Sequence, residues 1–273
     1  MKKTVGFIKS NLRQIFETIG LIVAIILPWV VDLQNLFRKY LGNNILTPDN
    51  MWWYIALTYG GTIASLFFFT VTIIILRKIN AEYVMNRRFI YHDYSYAWYW
   101  FCSKVLGIKK CNLILVPIHM QFKLAIRGTF DDYPLQDDDY PLLENESECS
   151  ISKAHEDRDN RTINLILEDT FSVEDQQVDK QNRDIFTIKV SRNDGSNSRH
   201  FSQKFIDATI NALKEYKQIS ILNVYATTNP KNTLHIARRV FGSVDRGNVG
   251  HLYVFQQNKD EKRTFEKKGH KIF

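Results

Sequence analysis

The run Ala226-Thr227-Thr228-Asn229-Pro230-Lys231-Asn232-Thr233 concentrates the groups best suited to holding an anion. Asn229 before Pro230 pairs a preferred N-cap with the residue that best fits a first helical position, so the run predicts a strand's carboxyl end meeting a helix N-terminus. Such a junction offers free N–H groups and a positive dipole end to a phosphate-like ligand. Thr227, Thr228 and Thr233 add hydroxyls, Lys231 adds charge, and Ser191-Arg192-Asn193 leaves a second predicted strand at its carboxyl end. Crevices outside the carboxyl ends of open α/β sheets are where such ligands sit. The candidate ligand- or partner-binding set is therefore Arg192, Thr227, Thr228, Asn229, Lys231, Asn232 and Thr233. An ordinary capped turn explains the same residues, since no glycine-rich loop accompanies them.

Covalent chemistry finds no comparable foothold. The chain has no nucleophile elbow, Walker loop, His-Glu-x-x-His pair or Gly-x-Gly-x-x-Gly turn, and its seven histidines are scattered without metal-ligand spacing. Cys102, Cys111 and Cys149 form no Cys-x-x-Cys pair, which argues against a zinc site or a disulfide framework. His235 lies one turn past the Asn229 cap, where a lone histidine is more often structural than catalytic. The expectation is a chain that is not an enzyme, with no catalytic residue, metal or cofactor.

Other residues point to a membrane. Met51 to Leu76 holds no Asp, Glu, Lys, Arg or His across 26 positions. A helix of that length crosses a hydrocarbon core of roughly 30 Å. Trp52, Trp53 and Tyr54 at one end and Arg77-Lys78 at the other mark its two boundaries. A weaker apolar stretch from Thr18 to Val31, extended to about 15–37, predicts a first spanning helix despite Pro28. Lys2, Lys3, Lys9 and Arg13 precede it without an acid, whereas the loop from Asp32 to Asn50 is balanced, so both termini are expected in the cytoplasm. The protein is thus expected to be multi-pass in a membrane, as a two-helix hairpin over residues 1–80. The formal charge of +7, gathered near the membrane and in the tail Lys259 to Lys271, suits anionic lipid.

Residues 81–110 read as an aromatic juxtamembrane connector, helical and suited to the headgroup layer. Residues 111–273 read as a cytoplasmic α/β domain with a mainly parallel sheet. Asn112 to Pro117 reads as a strand, followed by the apolar stretch Phe122 to Ile126. Asp131 to Glu148 carries eight acids and the pentapeptide Asp-Asp-Tyr-Pro-Leu twice. That density predicts a solvated acidic loop that docks on a basic partner or on the chain's own tail. Beyond it lie strands at Ile163 to Leu167, Asp184 to Val190, Ile219 to Tyr225 and His251 to Phe255. The helices between them are one capped by Ser202 and one over Pro230 to Phe241, which Gly242 closes.

In the second membrane helix Gly60, Gly61, Ala64 and Ser65 form two small-xxx-small pairs, which let another helix approach closely. The groove serves packing inside the hairpin or self-association of several copies.

The run 226–233, the following Ile236-Ala237-Arg238-Arg239 and the terminal Leu252-Tyr253-Val254-Phe255-Gln256-Gln257 resemble the two-transmembrane effectors encoded beside retron reverse transcriptases in antiphage systems. The same region resembles, more weakly, the nucleotide-sensing SAVED domain fused to transmembrane helices in cyclic-oligonucleotide signalling. The first resemblance implies a toxin held inactive by a reverse transcriptase with its RNA-DNA product and released on infection to permeabilise the membrane, acting as a homo-oligomer. The second implies a nucleotide ligand gating the membrane helices. A non-toxic membrane-tethered scaffold or sensor is the remaining expectation.

Overall fold

The computed structural model describes residues 2–32, 35, 39, 51–86, 89–143, 146, 148–192, 199–242, 249–258 and 261–273. Most of the predicted extracytoplasmic loop, together with Arg87, Arg88 and Asn193, lies outside them. The chain forms two compact units, one of Met1–Met85 with Ala97–Lys110 and one of Asn86–Tyr96 with Cys111–Phe273.

The first unit holds α1 (Lys2–Ser10), α2 (Leu12–Val30), α3 (Met51–Asn80) and most of α4 (Tyr96–Lys104). α2 and the Tyr59–Asn80 part of α3 are long and apolar enough to cross a membrane. The first span starts earlier than 15, and its helix ends at Val30; the second runs four residues past Leu76. α2 turns Gln14, Leu21, Ala24 and Pro28 inward at intervals of three, four and seven residues, the stripe by which a helix packs on one neighbour. Pro28 lies in the last turn of α2, where it leaves the Ala24 carbonyl without a helical donor. The opposite surfaces are apolar yet exposed: Val30 is 74% exposed, Leu66 65% and Phe67 62%. Water would penalise every one of these side chains; lipid would not.

The aromatic connector is not one helix. The chain turns after Asn80, Tyr91 to Ser95 form no helix, and Tyr96–Lys104 is helical. Gly107 explains one bend, since its φ of +76° is a conformation L side chains rarely adopt. Trp98 stacks on Phe101 at 5.8 Å and meets Phe7 edge-on at 5.4 Å.

The second unit is a six-stranded sheet with helices. Its strands are β1 (Cys149–Ala154), β2 (Thr162–Glu168), β3 (Thr187–Arg192), β4 (Ile219–Ala226), β5 (Val249–Phe255) and β6 (His270–Lys271). The spatial order is β1-β3-β2-β4-β5-β6. The inner four strands are parallel, as the alternation of strands and helices dictates. Both outer strands are antiparallel, so the sheet is mixed rather than mainly parallel, which corrects the sequence expectation. β1 is polar and exposed along nearly its whole length, so no apolar alternation announces it. β6 has two residues, too few for any periodicity.

One sheet face is largely apolar, with Leu165, Leu167, Ile188, Val190, Leu222, Val224, Leu252 and Val254 fully buried. It is covered by α5 (Ile118–Ile126), α7 (Gln203–Lys214) and α8 (Pro230–Ile236). The other face carries Ile166, Tyr225 and Phe255, packed with Val173, Val178 and Phe265 from the loops and the tail; a one-turn α6 (Lys180–Arg183) lies in that cover's chain segment. Asn112 to Pro117 is not a strand but a turn, with Leu115 at φ +57°. Phe122 lies inside α5, and the predicted helix to Phe241 changes at Ala237 into a π-helical turn.

Within the acidic segment Asp131, Asp132, Asp138 and Glu148 are exposed, but its tyrosines are not. Each copy of the repeat turns its tyrosine inward, Tyr133 and Tyr140 being buried. Tyr133 donates its hydroxyl to the Leu124 carbonyl at 2.7 Å. Downstream, Glu146 accepts from Ser202 Oγ and Lys204 N, and Lys204 reaches Glu148 at 2.7 Å. The docking partner is thus the start of α7, whose N–H groups and positive end favour a carboxylate.

Candidate functional sites

The carboxyl ends of β2, β3 and β4 converge where the chain switches from one side of β2 to the other, the position at which open α/β sheets carry their crevice. Arg192 ends β3, Thr227, Thr228 and Asn229 follow β4, and Asp169 and Thr170 follow β2. The structure brings Arg192, Asn229 and Asn232 together, and it does so around Asp169, a residue absent from the predicted set.

Asp169 Oδ2 accepts from Asn229 N and Asn229 Nδ2 at 2.9 Å and from Asn232 Nδ2 at 3.0 Å. Asp169 Oδ1 lies 2.9 Å from Arg192 Nη1, and the two side chains are 0% and 2% exposed. The guanidinium also lies 3.1 Å from the His200 ring nitrogens, while the His200 carbonyl accepts from Asn229 Nδ2 and Asn232 Nδ2. Asn229 Oδ1 caps α8 by accepting from Lys231 N and Asn232 N at 3.0 Å. Asn232 Oδ1 takes the Ser202 N–H that opens α7. The cap and the sheet end are therefore locked by one carboxylate.

This arrangement changes the meaning of the anion-binding pattern. The donors expected to face a ligand point at Asp169, a charge the chain itself supplies. Arg192, expected to face a ligand in the crevice, is buried, because burial of Asp169 requires a paired cation. Thr227 Oγ1 donates to the Phe171 carbonyl at 2.7 Å, and Thr228 and Thr233 share a hydroxyl bond of 2.6 Å. Lys231 is half-exposed, with its Nζ 5.1 Å over the Phe201 ring, which also meets His235 at 4.8 Å. Burial lowers the His235 pKa, and Lys231, Arg239 and Arg238 lower it further. Asp169 and His200 were missed by sequence reading; Glu168-Asp169-Thr170 directly after a predicted buried strand was the available signal.

The small-residue groove of α3 is divided. A Cβ on Gly61 would meet the Trp29 ring at 3.6 Å, and Ser65 Oγ donates to the Ile25 carbonyl at 2.7 Å. Gly61 and Ser65 therefore serve packing within the hairpin. A Cβ on Gly60 would meet nothing within 4 Å, and Ala64 is half-buried beside it.

A polar cluster that sequence reading overlooked lies at the other end of the hairpin. Arg13 reaches Glu17 at 2.9 Å and Asn80 Oδ1 at 2.7 Å, and Asn80 Nδ2 donates to Glu17 Oε2 and the Leu106 carbonyl at 2.9 Å. Arg13 also lies 4.0 Å over the Tyr83 ring. Three polar side chains, Arg13, Glu17 and Asn80, thus fasten the start of α2 to the end of α3.

No curated protein matches the sequence significantly. Among solved structures, the Acinetobacter baumannii Cap4 SAVED/CARF-domain containing receptor is similar in its forms with the cyclic trinucleotides 3'3'3'-cAAA and 2'3'3'-cAAA. The identities are 7% and 6%, and the TM-scores 0.42 and 0.41. The overlap covers 62% and 64% of this chain and only 40% and 41% of those receptors. The family model of the SMODS- and Ubiquitin system-associated 2TM effector domain matches residues 1–273. Two candidate spans joined to an α/β unit fit that description, and the chain belongs to this family of two-transmembrane effector domains.

Proposed function

We propose that the protein is the membrane-disrupting effector of an antiphage system, a toxin of the bacterial inner membrane with both termini cytoplasmic. The observation that carries this reading is the apolar outer surface of α2 and α3, which is exposed on both helices and holds no charged side chain from Ile19 to Val30 or from Tyr59 to Leu76. Lipid or further copies of the hairpin satisfy such a surface. A lone pair of helices encloses no water path, so disruption calls for a homo-oligomer.

The α/β unit acts as the holding module and performs no covalent chemistry. Its resemblance to retron-encoded effectors supports a reverse transcriptase with its RNA-DNA product as the restraining partner. The test is inducible expression of the full chain in bacteria, alone and with its neighbouring genes, while a potential-sensitive dye reports the inner membrane. Depolarisation that the neighbours suppress is the expected result. Unimpaired growth and potential at equal expression would leave a membrane-tethered scaffold.

A further inference from the structure

The α/β unit presents a second, unrelated surface in the segment Asn86–Tyr96, which begins six residues after α3 ends. Phe89 is 93% exposed, and Ile90, Tyr91 and Leu115 beside it are exposed as well. The patch is held in place: His92 N donates to the Leu115 carbonyl at 2.9 Å, and Leu115 itself occupies the strained left-handed region. A fixed turn that displays an aromatic ring and two aliphatic side chains to water is costly unless something apolar covers it.

Cations lie on the same segment's packing partner. Lys123 on α5 and Arg127 at its C-cap, four residues apart, hold their charges 5.2 and 5.5 Å from the Tyr96 ring centre. Each donates to a main-chain carbonyl, of Lys271 and Ile272, where a salt bridge would have used a carboxylate. Like charges at this spacing repel, and Lys123 is lowered in pKa by burial and then by Arg127. The nearby acid Glu266 is engaged by His270 Nε2 at 2.7 Å; Asp93, beside Tyr91, remains as the local opposing charge.

We propose that this surface, Phe89 to Tyr91 with Leu115 as an apolar wedge and Lys123 with Arg127 as its charged flank, docks on an anionic lipid bilayer. An apolar tip with adjacent cations is the chemistry of an interfacial anchor: rings enter the headgroup layer while lysine and arginine meet lipid phosphates. The position in the chain selects lipid over nucleic acid, because both the segment's start and Tyr96, where the chain passes back into the unit that bears the spans, are covalently tied to them. The inference rests on membrane insertion of α2 and α3 and is independent of whether they permeabilise the bilayer.

The test uses the full chain in nanodiscs, with an environment-sensitive dye on Ile90→Cys in a Cys149→Ser background, since Cys102 and Cys111 are buried. The dye should shift to the blue when phosphatidylglycerol is added to phosphatidylcholine. Raising salt from about 0.1 M to about 1 M, which shortens screening from about 10 Å to about 3 Å, should reverse the shift without any mutation. Lys123→Gln with Arg127→Gln should lower the docking equilibrium about 30-fold, at roughly 1 kcal/mol per basic residue. A spectrum that ignores lipid charge and salt overturns the proposal. So does a shift that appears only when RNA is added, which would make the surface a nucleic-acid site.

Discussion

Asp169→Ala is the substitution that most directly probes how the sheet's carboxyl end is held. The carboxylate is fully buried, pairs with Arg192 and accepts from Asn229 N, Asn229 Nδ2 and Asn232 Nδ2. Its removal leaves a buried guanidinium and at least three N–H donors without their acceptor. Breaking a buried pair by deleting one partner costs about 3–5 kcal/mol, a large share of the roughly 5–15 kcal/mol that stabilises a domain. At a urea slope of about 2 kcal/mol per M, the midpoint of the detergent-solubilised chain should fall by about 2 M. Asp169→Ala with Arg192→Met removes both charges and fills part of the space, so it should recover at least half of the loss. A drop below about 1 kcal/mol, or a double variant worse than Asp169→Ala alone, would show that Arg192 and the cap amides are satisfied without Asp169, and the lock would have to be abandoned.

The outcome of reading the sequence divides along physical lines. The inner strands and α7 were legible because burial on one or both faces imposes a period on the sequence. Ser202, for instance, accepts from Phe205 N as its place before an apolar stripe foretold. Asn229 and Pro230 start α8 as expected. The edges were illegible for the complementary reason: Ser150, Ser152 and Lys153 of β1 face water and follow no pattern, and its antiparallel course is set only by pairing with β3. The site was half legible. Sequence places Arg192 and Asn229 at strand ends, but whether those donors await a ligand or meet an internal carboxylate depends on β2 lying between β3 and β4. That adjacency puts Asp169 within reach of both, and no local motif records it. Gly61 likewise reads as a contact residue, while its partner, Trp29, lies far away in sequence.

Lys231→Ala should shift the urea midpoint by the equivalent of less than about 1 kcal/mol, because its cation–π contact is with the partly exposed Phe201 ring; a loss as large as that of Asp169→Ala would place Lys231 in the lock. Acid should weaken the α/β unit. Burial, and then the charge of His270, push His119 down to about 4, and His235 is also lowered, first by burial. Between pH 6.5 and about 4 the unfolded histidine binds a proton that the folded one refuses, so stability present above pH 6.5 is lost as pH falls through that window. His119→Gln should flatten the profile measured by urea midpoints at pH 7 and pH 5, and an unchanged slope would refute the assignment. The last prediction separates the two glycines of α3. Gly61→Leu drives a branched side chain into the Trp29 ring, so it should splay α2 from α3 and lower the yield of a cysteine cross-link between them. Gly60→Leu meets only open space and should leave that cross-link intact. If copies associate through the open face, Gly60→Leu alone should abolish depolarisation, since small residues are what let backbones approach. Full depolarisation by a well-inserted Gly60→Leu chain would assign the groove to the hairpin and send the search for the assembly face to the outer side of α2.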